Sequence, residues 1–448
     1  MRSAIFNFLI IASVFWVILP ATGGQKQITF WTTEMESERL NMQRKIARTF
    51  TEKTGIHVCV VPVLETCLAK EVNAANESKA LPDVLYHPIE FTIGWAGTGI
   101  LDVRSATEVV NYLDKETFGP RALSLTRFSD GYAALPIDGW HQLLLYRKDL
   151  FQEKELPVPD SWDRILRAAR TLHNPPSIWG FMAATDPDQI YTQQVFEHFA
   201  LSNGVSLADS LGDVDLNTPE MIQTLKFYKT LTRFTPSGNI HWVHTRMDYV
   251  SGRAAMIMWS PFILDELSGL RRDLPVIPDV LKGKTGYLAE NTGFVSLIHG
   301  SKGSAQYGQI NCLGITRDAD KAPAGQWVKY LLTDGYLAWL DTAPEGKLPM
   351  RKGTRQEPGC FIKAWMELEL GVTIGTTISE LYGMNMIKTI VDRPDGLNHW
   401  GFTENKGALV SKIYETKVIP KILKRFIDDE LDAEQAAMMM DEQVRALE

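Results

Sequence analysis

Residues 27–63 read as strand, helix and strand in that order, and this succession constrains the chain more than any other feature. Gln27–Trp31 alternates in polarity, as a half-buried strand does. Met42, Ile46 and Phe50 then recur every fourth residue and lay one apolar stripe along a helix. Thr54-Gly55 ends that helix, because glycine takes the left-handed cap without a steric penalty. Ile56–Val63 follows as a nearly continuous β-rich run, the pattern of a buried parallel strand. A strand–helix–strand opening predicts an α/β lobe.

The same logic places later elements. Leu81–Tyr86 reads as a short strand leading into a loop. Tyr132–Tyr146 holds a second strand region, interrupted by Pro136 and by Asp138-Gly139. Ser161 is the predicted cap of a helix from Trp162, and Thr218-Pro219 opens another with Ile222, Leu225 and Leu231 inward. Asp248–Met258 reads as a helix end feeding a strand. Gly283, Gly286, Gly293, Gly300 and Gly303 make Gly283–Ser304 the predicted long loop. Ile310–Thr316 is a predicted strand, Ala322–Leu332 a helix, and the chain from Ala364 onward mostly helical. No internal repeat is visible.

With 448 residues, 45% of them hydrophobic, there is apolar mass for two lobes of roughly 150–250 residues. The net charge of −8 argues against a nucleic-acid binder that neutralises phosphates. Four cysteines exclude a disulfide-dense scaffold and leave two readings, a local Cys59–Cys67 bridge or free buried thiols. Neither Cys nor His falls at zinc spacing, so no metal is implied.

The N-terminus carries Arg2, an apolar run from Ala4 to Leu19, Pro20, and the small residues Ala21-Thr22-Gly23. A charged start, an apolar stretch and a small-residue exit predict a secretory signal peptide over residues 1–24; the other reading is a retained membrane anchor. No cysteine follows the run, which argues against a lipoprotein. After Gly24 no apolar run reaches spanning length, so the mature chain is expected to be soluble.

Catalytic signatures are missing. There is no phosphate loop, no complete dinucleotide fingerprint around Gly97 and Gly99, no HExxH and no GxSxG. His241 with His244 is too small a set for a metal site. Asp186 with Asp188, and Asp213 with Asp215, read as solvated turns.

Motif order carries more information than any one motif. Ile28–Trp31 and its helix are followed by Glu52–Val58, Leu81–Val84, Gly99–Asp102, Tyr132–Pro136, Leu145–Phe151 and Pro159–Trp162. Tyr249–Met256, Ser260-Pro261-Phe262, Leu313–Thr316, Leu331–Asp334 and Gly346–Pro349 complete the series. In this order the chain resembles the extracellular solute-binding proteins of ABC importers, the maltose-binding-protein-like family. The resemblance implies a periplasmic-binding-protein-like α/β fold. Its N-terminal lobe would be residues 25–137 plus 309–346, and its C-terminal lobe 138–308 plus 347–448, joined by crossing strands. It also implies a monomeric, periplasmic protein that is not an enzyme, uses no cofactor and binds no nucleic acid. Such a protein closes about a hinge on a small-molecule carbohydrate and presents it to permease subunits in the inner membrane. Two departures stand out. Arg164 sits where the family often has an acid, which removes a capping box, and Gly283–Ser304 looks longer than usual.

The resemblance also points to ligand-facing positions. Trp31, Thr33, Glu34 and Glu36 fall at the rim of the cleft, with Trp31 either touching ligand or packing beneath it. His87 and Glu90 follow the third strand, where the family places an aromatic and an acid. Asp138 and Trp140 flank Gly139, which permits close backbone approach. Trp259 and Phe262 supply stacking surfaces on the second lobe. Arg351 either forks two hydroxyls or makes a surface ion pair. Gln193 and Gln194 align loosely with a ligand-facing segment. Acids with aromatics suit a neutral, polyhydroxylated ligand. A cationic solute suits them nearly as well. Two readings differ in kind: a secreted carbohydrate-active enzyme drawing on Glu34, Glu36, Glu90 and Asp138, and a binding protein that serves a sensor kinase.

Overall fold

The structure is a computed structural model that describes residues 26–270, 286–370, 376–377, 380 and 398–448. The predicted signal peptide, residues 1–24, lies outside the described residues. Among the described residues no helix is long and apolar enough to cross a membrane.

The opening folds as its pattern dictates. Strand β1 (Gln27–Thr32) leads into the helix Ser37–Thr54, which buries Leu40, Ile46, Ala47 and Phe50. Gly55 ends the helix in the left-handed conformation, its N–H donating to the Thr51 carbonyl. Strand β2 (His57–Pro62) then pairs in parallel with β1, and β3 (Val84–Pro88) pairs in parallel on the other side. The reading of Ile56–Val63 as a buried strand is corrected in one respect: β2 is the edge of its sheet and mostly half-buried. Continuous apolar sequence does not separate an edge covered by a helix on one face from a central strand.

Strands β4 (Leu135–His141), β5 (Leu143–Arg147), β6 (Met256–Trp259), β7 (Thr292–Val295), β8 (Gly308–Ile315) and β9 (Leu348–Pro349) complete the principal set. The first sheet runs β9-β4-β8-β3-β1-β2 and the second β6-β5-β7. Only Gln142 separates β4 in the first sheet from β5 in the second, and its N–H donates to the Tyr307 carbonyl just before β8. Residues 138–142, 307–311 and 348–349 therefore run side by side where the chain passes between sheets.

Pro136 and Asp138-Gly139 do not break β4. The strand absorbs them through a register shift opposite Asn311 and Cys312. The expected long loop at Gly283–Ser304 is also corrected. Residues 286–304 hold a short helix (Tyr287–Asn291) and β7, while residues 283–285 lie outside the described residues. The glycines there serve close packing: a Cβ at Gly293 would meet the Tyr146 ring at 2.2 Å, and one at Gly300 the Ser202 carbonyl at 2.4 Å.

The cysteines are all free thiols, so the Cys59–Cys67 bridge does not form. Cys59 sits in the β2 ladder opposite Thr29, and Cys67 ends a helical turn, so the two belong to separate elements. Ser161 begins the helix Trp162–Leu172 without a side-chain cap bond, and Arg164 instead pairs with Asp160 at 2.8 Å. The helix Gly407–Thr416 packs on Thr92–Gly97: Ser411 Oγ donates to the Glu90 carbonyl at 2.6 Å and accepts from Gly94 N at 3.2 Å. Its Tyr414 reaches Glu197 on the helix Ile190–Ser202 at 2.9 Å, so one helix touches elements associated with both sheets.

Candidate functional site

A cavity of about 250 Å³ opens where the chain passes between the sheets. The segments between sheets form its floor: Trp140 and Gln142 from the first, Gln309 and Asn311 from the second, and Lys347 from the third. Trp140 and Gln142, and likewise Gln309 and Asn311, stand two residues apart, the spacing that puts strand side chains on one face. Thr33 and Glu34 after β1, Glu65 and Tyr86 form one wall. The opposite wall carries Tyr191 and Gln194 from the helix Ile190–Ser202, Trp242, and Trp259 with Phe262 after β6.

The aromatic wall is held by its own packing. Trp242 stacks on Trp259 with centroids 6.0 Å apart, and Tyr191 meets the Trp259 ring edge-on at 5.4 Å. Tyr191 is fixed by donating to the Met258 carbonyl at 2.7 Å. Phe262 reaches across: the Arg39 guanidinium lies 5.2 Å from its ring centroid, and a Cβ on Gly346 would strike that ring at 2.3 Å. Glycine at 346 is what lets the ring sit on the backbone.

Beneath the floor lies Asp138, fully buried. Its carboxylate accepts from Tyr86 OH at 3.0 Å, Asn311 Nδ2 at 2.8 Å and Trp339 Nε1 at 2.7 Å. Lys347 Nζ stands 4.0 Å from the same carboxylate and 4.0 Å from the Trp339 ring centroid. Burial lowers the Lys347 ammonium from its ordinary range, while Asp138 and Glu34 oppose the shift.

A second polar chain backs the floor. Gln194 Nε2 donates to Gln309 Oε1 at 2.9 Å, and Gln309 Nε2 donates to Glu90 Oε2 at 2.6 Å. Desolvation pushes Glu90 up to about 8. Glu197, one turn along from Gln194, is likewise pushed up to about 7 by burial; it accepts from Trp400 N and Tyr414 OH.

Of the positions anticipated, Thr33, Glu34, Trp140, Gln194, Trp259 and Phe262 line this cavity. The others do not. Trp31 packs against the apolar core. Glu36 stands 3.5 Å from the Arg39 guanidinium at the start of its helix. His87 is buried against Trp95, its Nδ1 2.9 Å from the Pro88 carbonyl, and burial drives it down to about 4. Glu90 and Asp138 stand one layer behind the wall, supporting Gln309, Tyr86 and Asn311. Gln193 is buried outside the lining. Arg351 points away: its Nε donates to Thr117 Oγ1 at 3.0 Å and its guanidinium to the Leu113 and Leu332 carbonyls. That arginine is buried by backbone acceptors, a fate its position after Pro349-Met350 does not announce.

Gln142, Gln309, Asn311, Tyr86, Tyr191, Trp242 and Lys347 were not anticipated. The polar–apolar alternation of Gln309-Ile310-Asn311 was a usable signal, since it marks one polar face of a strand. For Lys347 there was none, because a lone lysine before Leu-Pro reads as surface. Among the described residues no group of three or more His, Cys, Asp or Glu could hold a metal ion.

Residues 45–368 match the family described as bacterial extracellular solute-binding protein. An ABC transporter periplasmic-binding protein of Escherichia coli, YcjN, is 28% identical over 363 residues, covering 80% of this chain and 79% of that protein. Among solved structures, maltose-bound MalE3 of T. maritima superposes with a TM-score of 0.73 at 18% identity, covering 94% of this chain and 100% of that one. A solute-binding protein from Thermotoga lettingae, bound with α-D-tagatose, gives a TM-score of 0.73 at 20% identity, covering 94% and 99%. These likenesses establish the fold, and the sequence match carries the family.

Proposed function

The chain belongs to the bacterial extracellular solute-binding protein family, and on that premise we propose that it takes a carbohydrate, a mono- or oligosaccharide, into the cavity between its sheets for an ABC importer. The observation that carries the reading is the pairing of walls. Half-buried aromatic faces of Trp140, Trp259 and Phe262 are set against Glu34, Gln194, Gln309 and Asn311. Sugar rings offer apolar C–H faces and hydroxyl edges, which need those two kinds of surface. Structural relatives bound to maltose and to tagatose support the class.

The mechanism is closure. Phe262 and Trp259 belong to the second sheet's side, Thr33 and Glu34 to the first, and a ligand touching both favours the closed arrangement. Gln142 as the sole residue between β4 and β5 suits it as a pivot. We assign residues 25–137 with 309–346 to one moving lobe, and 138–308 with 347–448 to the other. Export on the segment 1–24, a periplasmic location and delivery of the closed form to permease subunits belong to the same reading. The monomeric state does too.

Calorimetric titration of the chain from about Gln25 against mono- and oligosaccharides tests the class. Stoichiometric binding with compaction in small-angle scattering is expected. Binding without compaction rejects the hinge mechanism, and product release from a glycan panel favours an enzyme.

A further inference from the structure

Three buried polar groups in the cavity wall are unspent. Lys347 Nζ, Trp259 Nε1 and both amide atoms of Gln142 have no hydrogen-bond partner among the described residues. All three residues line the cavity. Lys347 and Gln142 are each 2% exposed. Groups so enclosed are ordinarily paired, so unpaired ones facing a cavity mark where a ligand supplies the missing atoms.

Their chemistry is lopsided. Lysine offers three N–H donors and no acceptor, indole one donor, and the amide two donors with one carbonyl. This side of the cavity therefore asks for acceptors. Glu34 lines the same cavity. A carboxylate asks for donors.

Charge narrows the choice further. Lys347 is already balanced by Asp138 at 4.0 Å. A cationic head offers no acceptor and would leave Lys347 Nζ, Trp259 Nε1 and the Gln142 amide N–H groups unpaired. An anion would meet the like charges of Glu34 and Glu65, also in the lining. A hydroxyl satisfies both sides at once, since it accepts and donates.

We infer that Lys347, Gln142 and Trp259 are the donor side of a subsite for a neutral polyhydroxylated ligand. Hydroxyls of that ligand accept from Lys347 Nζ and donate to Glu34. Together these three donors disfavour a cationic head, which cannot accept from them. This rests on the cavity being the solute site and narrows that reading, removing the cationic alternative.

The test is calorimetry on the wild-type chain and Lys347→Met with four probes: maltose, D-mannitol, D-glucuronate and choline. A neutral probe is expected to bind the wild type and to lose about ten- to a hundredfold in affinity in Lys347→Met. Trp259→Phe, which keeps the ring and removes the donor, loses less, about two- to tenfold. Should Lys347→Met fail to fold by circular dichroism, Asp138→Asn with Lys347→Met removes both charges together and is titrated in its place. Choline binding to the wild type, or glucuronate binding more tightly than the neutral probes, overturns the inference. Equal affinity of a neutral probe for wild type and variant overturns it while leaving the solute site standing. Silence of all four probes overturns both.

Discussion

Gln309 Nε2 donates to Glu90 Oε2 at 2.6 Å, and through that bond a carboxyl outside the cavity holds an amide that lines it. Gln309 Oε1 in turn accepts from Gln194, so a residue after β3, one on β8 and one on the helix Ile190–Ser202 form one chain. Glu90 thus stands behind the lining and holds Gln309 within it.

Glu90 and Glu197 also shape how stability depends on pH. Burial raises them to about 8 and about 7 from an ordinary 4.5. The folded state keeps protons that the unfolded state releases, so their contribution is lost as pH rises from about 4.5 toward 8. His87, His141 and His198, held near 4 against an ordinary 6.5, act oppositely. The unfolded state takes up their protons in acid, so stability grows as pH rises between about 4 and 6.5. Maximum stability is expected at about pH 6.5. In Glu90→Gln the alkaline decline should flatten by up to about 1.4 kcal/mol per pH unit. Urea unfolding from pH 5 to 9 measures this; an unchanged alkaline slope in the variant places the proton elsewhere.

Asp138→Ala should destabilise the chain by about 3–5 kcal/mol, because it strands the buried Lys347 ammonium and the donors of Tyr86, Asn311 and Trp339. Asp138→Asn keeps an acceptor and should cost less. Chemical denaturation of both variants gives the comparison, and equal losses would mean that the charge contributes nothing.

Trp140→Ala and Phe262→Ala should each weaken binding of a neutral sugar about fivefold or more, the scale of one lost aromatic contact. Both side chains are only half-buried, so thermal midpoints should move little. Phe262→Ala should additionally reduce ligand-induced compaction, since that ring bridges to Arg39 and Gly346. Scattering with and without ligand separates the two effects.

Gly139→Ala should cost about 1–3 kcal/mol. Its Cβ would stand 2.4 Å from the Gln309 carbonyl and 2.9 Å from Met350 Cε, in the seam joining β4 to β8. Affinity should fall with stability, because Trp140 and Gln309 pair across that seam. A variant as stable and as tight as wild type would show that the seam yields freely. The close approach that Gly139 permits is thus to a neighbouring strand.

Local pattern made much of the fold legible. The period-four stripe through Ile46 and Phe50, the Gly55 stop and the Thr218-Pro219 start are each written in a few neighbouring residues, and each forms as expected. Thr218 Oγ1 accepts from Met221 N at 3.2 Å. Pattern and structure part where one composition serves two purposes. Glycines at 293 and 300 mark close contacts rather than a loop, because a missing Cβ allows either flexibility or tight packing and only the neighbour decides which. The apolar run of β2 could not disclose that, among the described residues, it pairs with β1 alone and ends its sheet.

By itself the sequence determined the order of elements and the family, and it singled out Thr33, Glu34 and Phe262, which line the cavity, since periodicity, caps and short motifs act over a few residues. The tertiary structure alone decided which polar groups meet. Lys347 and Asp138 are separated by more than two hundred residues and come together only where β9 pairs with β4. Arg351, four residues past Lys347, turns instead to the backbone carbonyls of Leu113 and Leu332. Desolvation and hydrogen-bond satisfaction depend on everything packed around a group, and that surrounding is assembled from distant parts of the chain.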